Sequence, residues 1–199
     1  MYKRFVKRLA DILLAGIALI ILAIPMLLVA VLIDCTDPGG SPIFSQKRIG
    51  CGKKKFDCYK FRTMVLDAPK DVPTHLMVDP EQYFIRGGRL LRKLSIDELP
   101  QLVNILKGDM SIVGPRPALW NQDDLVEERE RFGANDVRPG LTGWAQINGR
   151  DELDIPEKAR LDGEYVQNMS FLFDCKCLFR TIGKVIVGEG VVEGGKGKV

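Results

Sequence analysis

Histidine is nearly absent from this chain of 199 residues, which contains only His75. A histidine-rich metal centre, or any mechanism that needs two imidazoles, is therefore excluded. Cysteine is scarce as well, with five residues and no paired Cys-x-x-Cys spacing. A disulfide framework or a zinc site is not expected from such a set, and the pattern is typical of a protein in a reducing cytosolic environment.

Charge is missing from residues 12–33, and this uncharged run is long enough to cross a bilayer as a helix. A cleaved signal peptide is not expected, because the run is long and residues 32–35 lack a small-residue cleavage pattern. Pro25 lies inside the run and has no N–H to donate to the carbonyl of Ile21. We therefore expect a kink or a break of the helix there.

Basic residues lie on both sides of this apolar run, although the formal net charge of the chain is only +3. Such clusters suit anionic lipid headgroups or phosphorylated substrates. Because both flanks are basic, the positive-inside rule does not select an orientation. Two topologies stay open: a kinked single span, or a helix that bends at Pro25 and leaves on the cytoplasmic face it entered. Near its start, Lys7 or Arg8 is expected to pair with Asp11.

The rest of the chain has room for one globular domain. We predict a mostly helical α+β protein with three parts: a membrane-embedded helix over 1–34, a cytoplasmic catalytic α/β domain over 35–187, and a flexible glycine-rich tail over 188–199. Two β-leaning runs around Gly50-Cys51-Gly52 predict a short hairpin. The strands are expected at 42–49 and 55–61, a loop at 66–83, and helices at 89–94, 97–106, 118–132, 157–168 and 171–187.

The segment Asp97-Glu98-Leu99-Pro100 is the most informative for function. Proline is tolerated only in the first turn of a helix, so Pro100 predicts a helix start between residues 95 and 97. Both carboxylates would then lie at the positive end of the helix dipole, where anions bind. A carboxylate there can attack phosphorus, and a neighbouring glutamate can hold Mg²⁺. The alternative is structural, since Ser95 and Glu98 also have the spacing of a capping box.

Compact basic loops surround this segment in the sequence. Gly114-Pro115-Arg116-Pro117 fixes an arginine between two prolines, which suits a phosphate grip at low ordering cost. A glycine-rich stretch over 143–150 supplies Gln146 and Arg150, and Arg138 precedes it. Lys60 lies at the end of the predicted hairpin. Glycine-rich loops can cradle phosphates, but ordinary turns use the same residues.

Several ordered motifs together resemble the bacterial sugar transferase family, and specifically its small monotopic phosphoglycosyl transferases. The resemblance extends from Lys7 to about Thr181. Its most specific block is Asp97-Glu98-Leu99-Pro100-Gln101-Leu102. The accompanying motifs are Gln46-x-Arg48-x-Gly50, Lys60-Phe61-Arg62-Thr63-Met64, Lys107-Gly108-Asp109-Met110-Ser111, Gly114-Pro115-Arg116-Pro117 and Arg138-Pro139-Gly140-Leu141-Thr142-Gly143.

This resemblance implies a two-step transfer at the bacterial inner membrane. Asp97 would attack the β-phosphorus of a UDP-sugar and expel UMP, and polyprenyl (undecaprenyl) phosphate would then take the sugar phosphate. Glu98 would hold Mg²⁺, and membrane lipids but no nucleic acid would be partners. The resemblance also implies a re-entrant anchor with both ends cytoplasmic, although Ile24 stands where the family often has serine. The implied substrate-binding residues are Lys60, Arg92, Arg116, Arg138, Gln146 and Arg150.

Two other functions are compatible with the residues alone. One is a membrane-anchored scaffold that binds nucleotide sugars without catalysis, with the acidic pair only capping a helix. The other is a membrane-bound phosphohydrolase, which would release free sugar phosphate and need no lipid acceptor.

Overall fold

The structure is a computed structural model and describes residues 2–72, 77, 79–149 and 152–187. The described part is mostly helical with two small two-stranded sheets, so the α+β prediction is confirmed. The glycine-rich tail over 188–199 lies outside the described residues. In chain order the elements are α1 (Lys7–Thr36), β1 (Ile43–Ile49), β2 (Lys55–Phe61), α2 (Gly88–Lys93), α3 (Gln101–Lys107), β3 (Ser111–Val113), α4 (Asp123–Glu130), β4 (Gly140–Thr142), α5 (Trp144–Ile147), α6 (Ile155–Asn168) and α7 (Phe171–Val187).

The predicted hairpin is confirmed. Strands β1 and β2 pair antiparallel, with Ile43 opposite Phe61 and Ile49 opposite Lys55. Gly52 has φ +64° in the connecting turn, in the left-handed region that glycine enters without a steric cost. Phe61 is buried at the end of β2, and the hairpin therefore carries Lys60 to the edge of the core.

The second sheet was not predicted, because β3 and β4 are only three residues long, too short for an alternating pattern to be recognised. The two strands pair parallel, with Ser111 opposite Gly140 and Val113 opposite Thr142. A Cβ on Gly140 would lie 2.1 Å from the backbone nitrogen of Gly114, so the two chain segments approach as closely as only glycine allows. This approach places the loop containing Arg116 beside the strand that precedes α5.

Three helical segments differ from the prediction. Helix α3 begins at Gln101 rather than near Asp97, because Ser95 is left-handed (φ +55°) and residues 96–98 form a 3-10 turn. Helix α4 is shorter than the predicted 118–132. The stretch over 143–150, expected to be a loop, begins with the short helix α5.

Helix α1 continues through Pro25 and contains the whole apolar run. Among the described residues it is the one helix long and apolar enough to cross a membrane, and an 18-residue stretch of it has a mean hydropathy of 3.1. Most of its apolar side chains are exposed, including Ile20, Ile21 and Ile24. Re-entry at the membrane face stays a prediction at this point.

The start of α1 is bound to the globular part by polar contacts. Lys7 Nζ lies 2.7 Å from a carboxylate oxygen of Asp174 in α7, and both side chains are buried. Arg8 donates to the last carbonyls of α3. Asp11 accepts from the hydroxyl of Ser111 at 2.8 Å. The expected pairing of Lys7 or Arg8 with Asp11 is therefore wrong, because tertiary partners replace the local ones.

The middle and the end of α1 also pack on the same domain. Ala15 is fully buried in a cluster with Ile105 and Met110, and Ile33 is fully buried in a cluster with Phe61. One face of α1 therefore contacts the domain along the length of the helix, while the opposite face is exposed.

Candidate active site

Asp97 and Glu98 lie on the 3-10 turn between α2 and α3, and only 6% and 5% of their surfaces are exposed. The left-handed Ser95 ends α2 sharply, and Pro100 begins the next helical turn. Because these two residues fix the ends of the turn, the side chains of Asp97 and Glu98 point into the core, where the turn contacts strand β2. Burying two adjacent carboxylates is unfavourable unless cations lie close to them.

Two cations lie against this acidic pair. Lys60 Nζ is 2.8 Å from Glu98 Oε1 and 3.9 Å from Asp97 Oδ2. Arg116 Nη2 is 2.9 Å from the same Glu98 oxygen. The Ser95 side chain makes no capping hydrogen bond. The capping-box alternative is therefore wrong, because Glu98 binds cations from β2 and from the Pro-Arg-Pro loop instead of a helix terminus.

The environment of Asp97 changes its acidity. Burial raises the pKa of Asp97 above its ordinary value; Lys60 opposes this shift, and the neighbouring Glu98 adds to it. A buried carboxylate also lacks the water shell that an exposed one must shed before it can attack another atom. Asp97 thus combines desolvation with cations that stabilise its ionised form.

Arg92 is held beside the acidic pair from α2. Its Nε donates to the hydroxyl of Thr63 at 2.8 Å, and its guanidinium lies 5.2 Å from the ring centre of Phe84. These contacts fix the guanidinium near Asp97, whose pKa it lowers by its charge.

A cavity of about 440 Å³ opens in front of Asp97 and Glu98. Its volume is in the range typical of small-molecule sites. The predicted residues Lys60, Arg92 and Arg116 all line it. Further basic residues that line it were not predicted as site residues, namely Arg48, Arg62, Lys70, Arg129 and Lys158.

Arg129 shows why sequence reasoning missed this set. The segment 118–132 was predicted as a helix, with no side chain assigned to the site, yet Arg129 is 4% exposed and therefore buried. Its Nε and Nη2 both donate to one oxygen of Asp162 in α6, at 2.8 and 2.6 Å. Asp162 is 33 residues away, so no local pattern could have revealed the pair. Together they fix a guanidinium in the wall of the cavity.

Two of the predicted residues, Arg138 and Gln146, lie elsewhere. Arg138 is exposed, donates to the carbonyl of Gly108 at 2.8 Å, and is not among the described residues that line the cavity. Gln146 lines a second cavity of about 210 Å³, which also includes Glu98. Arg150 lies outside the described residues.

The acidic pair offers the hard oxygen donors that Mg²⁺ prefers. Within the described ranges no group of three or more His, Cys, Asp or Glu side chains could hold a metal ion. Mg²⁺ commonly binds through one or two carboxylates together with substrate phosphates. Asp97 and Glu98 fit such a site when a phosphate completes it.

Comparison with known proteins identifies the family of this chain. The family model described as bacterial sugar transferase matches residues 2–188. The chain is 50% identical over 153 residues to the uncharacterized sugar transferase EpsL of Bacillus subtilis, covering 76% of this chain and 74% of that protein. It is 39% identical over 198 residues to the exopolysaccharide production protein ExoY of Sinorhizobium fredii, covering 92% and 87%.

A further relative carries a reaction in its name. The chain is 39% identical over 194 residues to the UDP-glucose:undecaprenyl-phosphate glucose-1-phosphate transferase of Escherichia coli, covering 94% of this chain and 41% of that protein. The resemblance predicted from the motifs is confirmed: this chain is a transferase of the bacterial sugar transferase family.

Proposed function

We propose that the protein moves a sugar 1-phosphate from a UDP-sugar to polyprenyl phosphate through a covalent intermediate on Asp97, as the first membrane step of glycan assembly. The observation that carries the proposal is the buried pair Asp97 and Glu98, set against two cations in the wall of the basic cavity. The name of the Escherichia coli relative supports both substrate classes.

In the first step the cavity binds the diphosphate of the donor. Lys60, Arg92 and Arg116 gather around its oxygens and withdraw charge from the β-phosphorus. A carboxylate oxygen of Asp97 forms a bond to this phosphorus, and the bond to the bridging oxygen breaks. UMP leaves with the electron pair, and the sugar phosphate stays on Asp97 as an acyl phosphate.

In the second step an oxygen of the lipid phosphate forms a bond to the same phosphorus. The bond to the Asp97 oxygen breaks, and the carboxylate takes the electron pair and is regenerated. The lipid phosphate is already ionised near pH 7 and needs no general base. A single nucleophile in the site therefore accounts for both steps.

Glu98 would hold Mg²⁺ together with donor phosphate oxygens, and the ion would neutralise charge on the transferring phosphoryl group. Without substrate, Lys60 and Arg116 bind Glu98. We expect them to share their charge with the diphosphate when the donor binds, since both side chains line the cavity.

The contacts of α1 support a re-entrant anchor with both ends on the cytoplasmic face of the inner membrane. Lys7 and Asp11 at its start contact the same domain as Ile33 near its end. A straight helix of 30 residues is about 45 Å long, more than a bilayer core of about 30 Å. If α1 spanned the membrane, one of its ends would lie on the far side of the bilayer. Both ends could then not contact the same domain.

The test is the donor reaction without acceptor. Purified enzyme with a panel of UDP-sugars and Mg²⁺ should release up to one UMP per active site and then stop, and a peptide containing Asp97 should gain the mass of a sugar phosphate. Asp97→Asn should abolish both signals, because an amide is a very poor nucleophile of nearly the same shape. A scaffold would release no UMP, and a phosphohydrolase would release sugar phosphate continuously. Either result would refute the proposal.

A further inference from the structure

The smaller cavity, of about 210 Å³, is bordered by Glu98, as the donor cavity is. Among the described residues that line either cavity, Glu98 alone lines both. The transferring phosphoryl group on Asp97 would therefore be close to the end of a second, separate recess.

The wall of this second cavity differs in chemistry from that of the donor cavity. Two lysines, Lys93 at the end of α2 and Lys184 near the end of α7, line it together with Glu98. Lys93 is exposed and Ile182 is 56% exposed, so the cavity reaches the surface between α2 and α7. Its apolar lining consists of Leu99, Ile112, Leu141, Ile147, Leu178 and Ile182.

Size and lining exclude the donor as the occupant. Pockets for drug-sized molecules begin at about 300 Å³, so this cavity is too small for a nucleoside diphosphate sugar. A UDP-sugar also has no apolar chain to place against leucine and isoleucine side chains. A lipid phosphate has an anionic head and an apolar chain. The lysines of the cavity wall complement the head, and its aliphatic side chains complement the chain.

We infer that this cavity is the acceptor site and takes the first isoprene units of polyprenyl phosphate, with its phosphate near Lys93 and Lys184. The inference rests on the proposed function and adds to it the place of the second substrate. Ile182 on α7 is exposed, so the apolar chain can enter the cavity from the surface of this helix. The lipid phosphate then reaches the phosphosugar on Asp97 past Glu98, while the nucleotide leaves through the larger cavity.

The test compares two aspartate substitutions on α7. Ile182→Asp places a carboxylate in the acceptor cavity, and Phe179→Asp places the same charge on the same helix at a residue that is not among those lining it. The acceptor is a water-soluble polyprenyl phosphate of two isoprene units, so that membrane binding does not enter the measurement. UMP release without acceptor reports the donor step of each variant.

Ile182→Asp should raise the KM for this acceptor by about tenfold or more, a factor equivalent to about 1.4 kcal/mol. Its acceptor-independent UMP release should match the unsubstituted enzyme, and Phe179→Asp should change neither quantity. An unchanged acceptor KM in Ile182→Asp, or an equal rise in both variants, would overturn the inference while leaving the proposed function standing. If the unsubstituted enzyme releases no UMP without acceptor, the proposed function is refuted, and so is the acceptor site that rests on it.

A photoreactive analogue of the same acceptor gives a second readout that does not depend on turnover. After irradiation, label should be found on the α7 peptide that contains Leu178 and Ile182. Excess unlabelled acceptor should compete, whereas UDP should not. Labelling confined to peptides of the donor cavity would contradict the inference.

Discussion

The buried ion pair between Lys7 and Asp174 gives the sharpest test of how α1 is held on the domain. Asp174 accepts from Lys7 at 2.7 Å, from Tyr2 at 2.5 Å and from Tyr165 at 2.8 Å. Both side chains of the ion pair are only 10% exposed. In Asp174→Asn the ammonium group of Lys7 stays buried without a counter-charge, which costs about 3–5 kcal/mol.

This cost corresponds to a fall in Tm of roughly 6–20 °C, because each kcal/mol shifts Tm by about 2–4 °C in a protein of 150–250 residues. In the double variant Lys7→Met/Asp174→Asn the buried ammonium is gone as well. We therefore expect the double variant to be at least as stable as Asp174→Asn alone. The assay is thermal unfolding of detergent-purified protein, followed by circular dichroism.

The matched control is the ion pair between Lys47 and Asp57, which has a similar length of 2.8 Å but side chains that are 57% and 45% exposed. Breaking it with Lys47→Met should cost about 1 kcal/mol or less. A loss in Asp174→Asn no larger than in this control would refute the reasoning, as would additive losses in the double variant.

Two further predictions concern the acidic pair. Burial raises the pKa of Asp97 in the folded state, so the stability of the protein falls as pH rises from the ordinary pKa near 3.8 through the raised one. Asp97→Asn should therefore have a higher Tm than the unsubstituted protein near pH 7.5 and an equal Tm below about pH 4. A lower Tm of Asp97→Asn near neutral pH would contradict this prediction. Lys60→Met should lower kcat/KM about 10²–10³-fold, because the charge that stabilises the transferring phosphoryl group is lost. It should also move the acid limb of the kcat/KM–pH profile to higher pH, since Lys60 lowers the pKa of Asp97. Lys60→Arg should restore most of the rate, and Lys47→Met, at an exposed lysine, should leave the rate unchanged. An acid limb that does not shift in Lys60→Met would show that Lys60 does not act on Asp97.

The parts of the fold that depend on local patterns were predictable. The alternation in β1 and β2, the apolar face of α7 and the adjacent carboxylates are all visible within short windows of sequence. The start of α3 was misplaced because Pro100 is compatible with both a 3-10 turn and an α-helix, and only the left-handed Ser95 distinguishes them. Serine rarely adopts that conformation, so nothing in its type predicted it.

The parts that depend on distant pairing were not predictable. The pairing of β3 with β4 joins segments about thirty residues apart and rests on backbone contact between glycines. Arg129 and Asp162 each belong to a charged helix, and their burial follows from how α4 and α6 pack. Gln146 was predicted as a substrate-binding residue, but its place in the smaller cavity follows only from the position of α7.

The packing of α1 along the domain has a consequence for biogenesis. Ala15 and Ile33 are part of the same clusters as residues of β2 and α3, so the catalytic core is incomplete until the anchor is in place. A fragment without residues 1–36 would leave Ile105, Met110 and Phe61 with their α1 neighbours replaced by water, and we expect it to aggregate rather than to remain as a soluble enzyme. Under the proposed function, insertion of the anchor into the bilayer and completion of the catalytic core would be one folding event, and activity would arise only at the surface where the lipid acceptor is found.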